Sequence, residues 1–135
     1  MKDLTTGIYG KISGSSFSSD IGGRLYKGQA PDGATYPYAV YLLVSAVPDL
    51  TFTSKYEDVV IQFSLFSTAS GSTEIEDMYT HLTALYDECT LSITGETLIW
   101  MVREFANLSI EEHTTPTGTQ RVWAYHVRYR VIVKV

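Results

Sequence analysis

Apolar residues recur along this chain with two rhythms, and the change from one to the other marks its elements. Leu4, Ile8 and Ile12 fall every fourth residue, which puts one apolar stripe on an N-terminal helix. Gly7, Gly10 and Gly14 each weaken such a helix by roughly 0.5–1 kcal/mol, so it must be short and lean on a neighbour. The serine-rich "SGSSFSSDIGG" that follows has the composition of a loop. From Tyr38 to Val47 both faces of an extended chain would be apolar, as expected of a central strand. "VPDLTFTSKYED" reads as a hairpin connection or extended loop. Val59, Ile61, Phe63 and Leu65 then alternate with Val60, Gln62, Ser64 and Phe66, a second strand with one wetter face.

The clearest helix is "GSTEIEDMYTHLTALYDEC", where Ile75, Met78, Tyr79, Leu82, Leu85, Tyr86 and Cys89 keep a helical spacing. Thr73 with Glu76 forms a capping-box pattern, and Glu74, Glu76 and Asp77 place negative charge at the positive end of the helix. "ITGET" breaks the period, "TLIWMVREF" and "NLSIEE" are strand-like, and "HTTPTGT" reads as a loop. In the closing "QRVWAYHVRYRVIVKV", Trp123, Tyr125, Val127, Tyr129, Val131, Val133 and Val135 share one face. Val122, Ala124, His126, Arg128, Arg130, Ile132 and Lys134 share the other. So long a strand reaches roughly 50 Å at ~3.3 Å per residue, so it must bend or project beyond its domain. The pattern predicts one α+β domain over residues 1–135: a mostly antiparallel or mixed sheet, an N-terminal helix and one central helix packed on it.

"GGRLYKGQAPDGATYPYAVY", from Gly22 to Tyr41, poses the question of chemistry. A phosphate loop needs a strand before its glycines, a Lys-Ser/Thr pair after them and then a helix; here the glycines lead towards a strand. The stretch is a connector: Pro31-Asp32-Gly33 makes a turn, and Tyr36 before Pro37 is driven into extended geometry. His81, His113 and His126 lie on different elements without metal-ligand spacing, and His113 after Glu111-Glu112 belongs to a solvated loop. Cys89 has no basic neighbour to activate it and reads as a buried structural thiol. No nucleophile elbow occurs among the serines, and the sequon at Asn107 is taken as chance. No catalytic, cofactor-binding or metal-binding constellation is expected.

Ten basic against fifteen acidic residues give a net charge of −5, which disfavours a sequence-independent nucleic-acid binder. No apolar run approaches the ~20 residues of a membrane span, and the N-terminal residues lack the apolar core of a signal peptide. A single cysteine suits folding in the cytoplasm.

"GGRLYKGQAPDGATYPYAVYLLVS", "DVVIQFSLFS", the central helix and "TGTQRVWAYHVRYRVIVKV" resemble the tail completion or tail terminator proteins of long-tailed bacteriophages, a group that includes tail-to-head joining proteins. The likeness covers roughly residues 4–135, and the glycine-containing first helix departs from the pattern. The resemblance implies a small non-enzymatic α+β subunit of the virion, made in the host cytoplasm. It also implies a ring of six copies at the neck, capping the tail tube, joined to the head connector or stopper protein, with DNA passing through without specific binding. A head-completion or stopper protein is the alternative, and a ligand-binding module or enzyme a more distant one. On this reading the basic row Arg128, Arg130 and Lys134 meets acidic residues of a neighbour, with Glu74, Glu76, Asp77, Glu111 and Glu112 as candidates. Two loops face partners and order on assembly: one carries Asp49, Phe52, Lys55 and Tyr56, the other His113 and Thr117.

Overall fold

A computed structural model describes residues 2–135, with side chains other than those of Lys2 and Thr115. Its elements are α1 (Lys2–Lys11), α2 (Ser16–Ile21), β1 (Leu25–Lys27), β2 (Tyr38–Leu50), β3 (Lys55–Ser67), α3 (Thr73–Tyr86), β4 (Thr97–Thr115) and β5 (Gly118–Lys134). The fold is α+β: one mixed sheet in the order β1-β2-β3-β5-β4, antiparallel except for the β1–β2 pair.

All three helices lie on one face of that sheet. β3 and β5 supply Val59, Ile61, Phe63, Leu65, Val127, Tyr129, Val131 and Val133, and β2 supplies Ala39 and Tyr41, all buried there. The predicted stripe of α1 is sound: Leu4, Ile8 and Ile12 are buried, and Ile8 offers its carbonyl to the Tyr86 hydroxyl at 2.6 Å. Phe63 stacks on Tyr86 and meets Tyr129 edge-on, joining α3 to the two central strands. Burial pushes the Tyr86 and Tyr129 phenols far above their ordinary pKa; both are structural hydroxyls, Tyr129 donating to Asp87 at 2.6 Å.

Several sequence expectations need correction. "SGSSFSSDIGG" holds α2, whose Phe17 and Ile21 are fully buried; the Ser15 side chain accepts from the Ser18 amide, and Gly22 closes the helix in the left-handed region. The Gly22–Tyr41 connector contains the short strand β1. β2 is not central over its length, because β1 pairs only with residues 39–41 and leaves the outer edge open from Leu42 to Leu50. Most of "VPDLTFTSKYED" is strand, with the turn confined to residues 51–54. α3 is entered through Ser72 rather than a Thr73–Glu76 box: the Ser72 hydroxyl donates to Glu76.

"TLIWMVREF", "NLSIEE" and the first three residues of "HTTPTGT" are one 19-residue strand, β4, continuous through irregularities beside Ile99 and Glu104. β5 is accommodated by pairing with β4 from Gly118 to Lys134, its hairpin end projecting past the end of β3. Cys89 lies beyond the helix, half-buried with Sγ 3.7 Å from Met101 Sδ; burial pushes its thiol up despite the opposing charge of Lys11.

Candidate assembly surface

The face of the sheet turned away from the helices divides into two parts. Beyond the middle of the strands it is bare. Strand register sets sixteen positions there in four rows: Leu42, Gln62, Arg128 and Phe105; Ser45, Val60, Arg130 and Val102; Val47, Asp58, Ile132 and Trp100; Asp49, Tyr56, Lys134 and Thr97. Leu42, Val47, Trp100 and Phe105 are exposed large apolar side chains. Four strands ~4.8 Å apart and four rows ~6.7 Å apart cover on the order of 500 Å². That is more than half of the ~800 Å² each partner contributes to a standard protein interface. The guanidinium of Arg128 donates to Gln62 Oε1 at 2.9 Å. That of Arg130 grips both oxygens of Asp58, which holds the Asp58 carboxyl below the usual range.

Towards the β4–β5 hairpin the same face is roofed by residues 28–37, which return from β1 to the start of β2. A chain of side chains ties this strap across the sheet. Tyr36 hydroxyl meets His113 Nδ1 at 2.8 Å, and His113 Nε2 meets Glu111 Oε1 at 3.2 Å. The other carboxylate oxygen takes His126 Nε2 at 2.7 Å, and His126 Nδ1 meets the Ser64 hydroxyl at 2.9 Å. Every ring nitrogen, hydroxyl and carboxylate oxygen of this network thus has a partner. Burial works to raise the Glu111 carboxyl, but hydrogen bonds and charge from His126 and His113 outweigh it and hold the group below the usual carboxylate range. Tyr38, beneath the strap, is pushed up to about 12 by burial and by Tyr36.

Open clefts also indent the described surface. One of about 600 Å³ lies at the start of α3 between Asp20, Glu74 and Asp77, and one of about 370 Å³ between α1 and residues 90–94. A third, of about 420 Å³, separates the strap from the β4–β5 hairpin. Such a molecule presents wide faces and a projecting arm, and the tail completion protein gp17 family matches it over residues 15–134. The chain belongs to that tail completion family. A chain of the virion of a native gene transfer agent particle shares its fold, with a TM-score of 0.77 at 11% identity, covering 99% of this chain and 96% of its own. A second solved chain aligns with a TM-score of 0.55 at 13% identity, covering 96% and 94%. No curated protein sequence matches the chain.

The residues singled out in the sequence fall into separate places in this tail completion fold. Arg128, Arg130 and Lys134 share the bare face, as their alternation implied. Glu74, Glu76 and Asp77 stand on the helix side of the sheet, so the basic row and the helix start of one subunit point in opposite directions; Glu74 accepts from Ser67 at 2.6 Å. Glu111 is engaged by its own two histidines, and His113 lies in β4 with its side chain mostly covered, not in a solvated loop. Asp49, Lys55 and Tyr56 lie on strands beside the β2–β3 tip, Phe52 is in that tip, and Thr117 is in the β4–β5 turn. His81 pairs with Asp20 and ties α3 to α2. Sequence spacing missed the Tyr36–Glu111–Ser64 network, because its members are up to 77 residues apart and meet only through strand register.

Proposed function

We propose that this chain is the subunit of a ring that ends the tail tube and joins it to the head connector or stopper protein, at the neck of the virion. The observation that carries the reading is the bare half of the sheet: an ordered surface of exposed apolar and basic residues that no described element of the chain covers. Large exposed apolar patches mark sites of association. Membership of the tail completion family supports an association within the tail, and the likeness to a chain of a gene transfer agent virion agrees with it.

The basic row and the acidic start of α3 lie on opposite sides of one subunit, an arrangement suited to head-to-tail contacts that close on themselves. Arg128 and Lys134 would face Glu76, Asp77 or Glu112 of a neighbour, while Arg130 stays with its own Asp58. Six copies would carry a formal charge of about −30, which discourages a channel wall from gripping passing phosphates. The partners are thus further copies, the tail tube protein and the connector, with no membrane. Native mass spectrometry of the chain, alone and mixed with its tail tube protein, tests the reading. A closed six-copy species is expected; a strict monomer in both samples at high concentration overturns it.

A further inference from the structure

The β2–β3 hairpin ends in an exposed tip, residues 51–54. Phe52 is fully exposed, Leu50 is 67% exposed, and the turn is closed by bonds between Thr51 and Ser54. The aromatic ring and the leucine exposed together at this tip offer apolar area to another molecule. Asp49 and Lys55 flank the tip on opposite faces of the ribbon, because Asp49 pairs with Tyr56 and Lys55 with Leu50. Neither forms an ion pair with a described residue.

A second unexplained feature lies in α1. Gly7 has an internal reason: a Cβ there would come within 3.0 Å of the Ser92 carbonyl oxygen. Gly10 has none, since a Cβ would meet nothing within 4 Å, yet a helical glycine costs roughly 0.5–1 kcal/mol relative to alanine. Both glycines line the cleft of about 370 Å³ between α1 and residues 90–94, with Leu91 on its wall. Asp3 and Lys11 stand at its two ends, ~12 Å apart along the helix at 1.5 Å per residue.

We infer that the β2–β3 tip of one copy docks in the α1 cleft of the next. Phe52 enters beside Gly10, Asp49 faces Lys11, and Lys55 faces Asp3. The complementary charge order at tip and cleft commits the occupant to a second copy of this chain. The inference rests on the ring reading and names one of its contacts. Because tip and cleft are different surfaces, each copy gives one and receives one, as a closed ring requires.

Cysteine trapping tests it in a Cys89→Ser background. F52C and G10C proteins are mixed under mild oxidation, beside a control mixture of F52C with T68C, another exposed position. A covalent dimer should form at least about tenfold faster in the first mixture, and should slow with added salt as the paired charges are screened. Equal rates in the two mixtures overturn the docking. Native mass spectrometry of the parent chain separates the two ideas. Rings without selective trapping leave the ring and remove this contact; selective trapping without rings keeps the contact and removes the ring. Circular dichroism of F52C and G10C should match the parent, as neither side chain touches the core.

Discussion

Phe63 and Gln62 are adjacent on β3 but face opposite ways and meet opposite surroundings. Phe63 is sealed under the helices between Tyr86 and Tyr129. Gln62 lies on the bare face, accepting from Arg128 and donating to Ser64 at 3.2 Å. The first face is fixed by burial and shape and the second by hydrogen bonds and charge, so one strand separates what folds the subunit from what it can offer a neighbour. The difference teaches where to expect silence: changes on the helix face should be read in stability, and changes on the bare face in association.

The comparison breaks most sharply under the helices. Phe63→Ala should cost about 3–5 kcal/mol and Leu82→Ala about 2–5 kcal/mol, a large fraction of the roughly 5–15 kcal/mol that keeps a typical domain folded. Urea denaturation measures both; a loss below about 0.5 kcal/mol would show that the helix layer does not seal this face. Tyr86→Phe keeps the ring and deletes one buried donor to the Ile8 carbonyl, with an expected loss of about 1–2 kcal/mol by the same assay.

On the other face the expected effects shrink. Glu111→Gln removes a charged acceptor from two histidines; partial exposure reduces the expected loss to about 1 kcal/mol at neutral pH. Because the folded carboxyl is held below its unfolded value, its contribution is complete above the ordinary carboxylate pKa of ~4.3 and fades as pH falls through the folded pKa. The stability gap between parent and E111Q should therefore narrow as pH falls below the ordinary carboxylate value and close beneath the folded pKa; a gap unchanged across the acid range would remove the carboxylate from the explanation. Smallest of all, Arg128→Glu should shift stability by less than about 0.5 kcal/mol while weakening self-association in a salt-dependent way. An unchanged sedimentation profile would leave Arg128 no part in self-association.

What the sequence made legible follows the same division. The helix-face residues of α1, β3, α3 and β5 announced themselves by period, and the Gly22–Tyr41 connector by its turn residues. α2 escaped because six residues with two apolar side chains give no periodicity, although Ser15 and Gly22 bracket it as caps. β4 looked broken because the irregularities beside Ile99 and Glu104 each slip the in-out alternation. Pro48 and Asp49 made the end of β2 look like a turn, yet an edge strand tolerates proline where no neighbour needs its amide. The bare face was visible only as an alternation along β5. Its four rows, like the strap network, exist only once register brings distant residues together.

Those same interruptions bear on how the free subunit survives before it meets its partners. Two long strands, β2 beyond Tyr41 and β4 throughout, end the sheet without a neighbour, which in a chain this rich in valine and tyrosine is a template for fibre growth. The irregularity between Leu43 and Ser45 and the missing amide of Pro48 spoil the hydrogen-bonding ladder of one border, and the two irregularities of β4 spoil that of the other. These interruptions shorten the regular runs that another strand could pair with, around Leu43–Pro48 on one border and Leu98–Phe105 on the other. Shorter regular runs make edge-to-edge stacking of free copies less favourable, at the cost of a few ladder bonds inside the sheet.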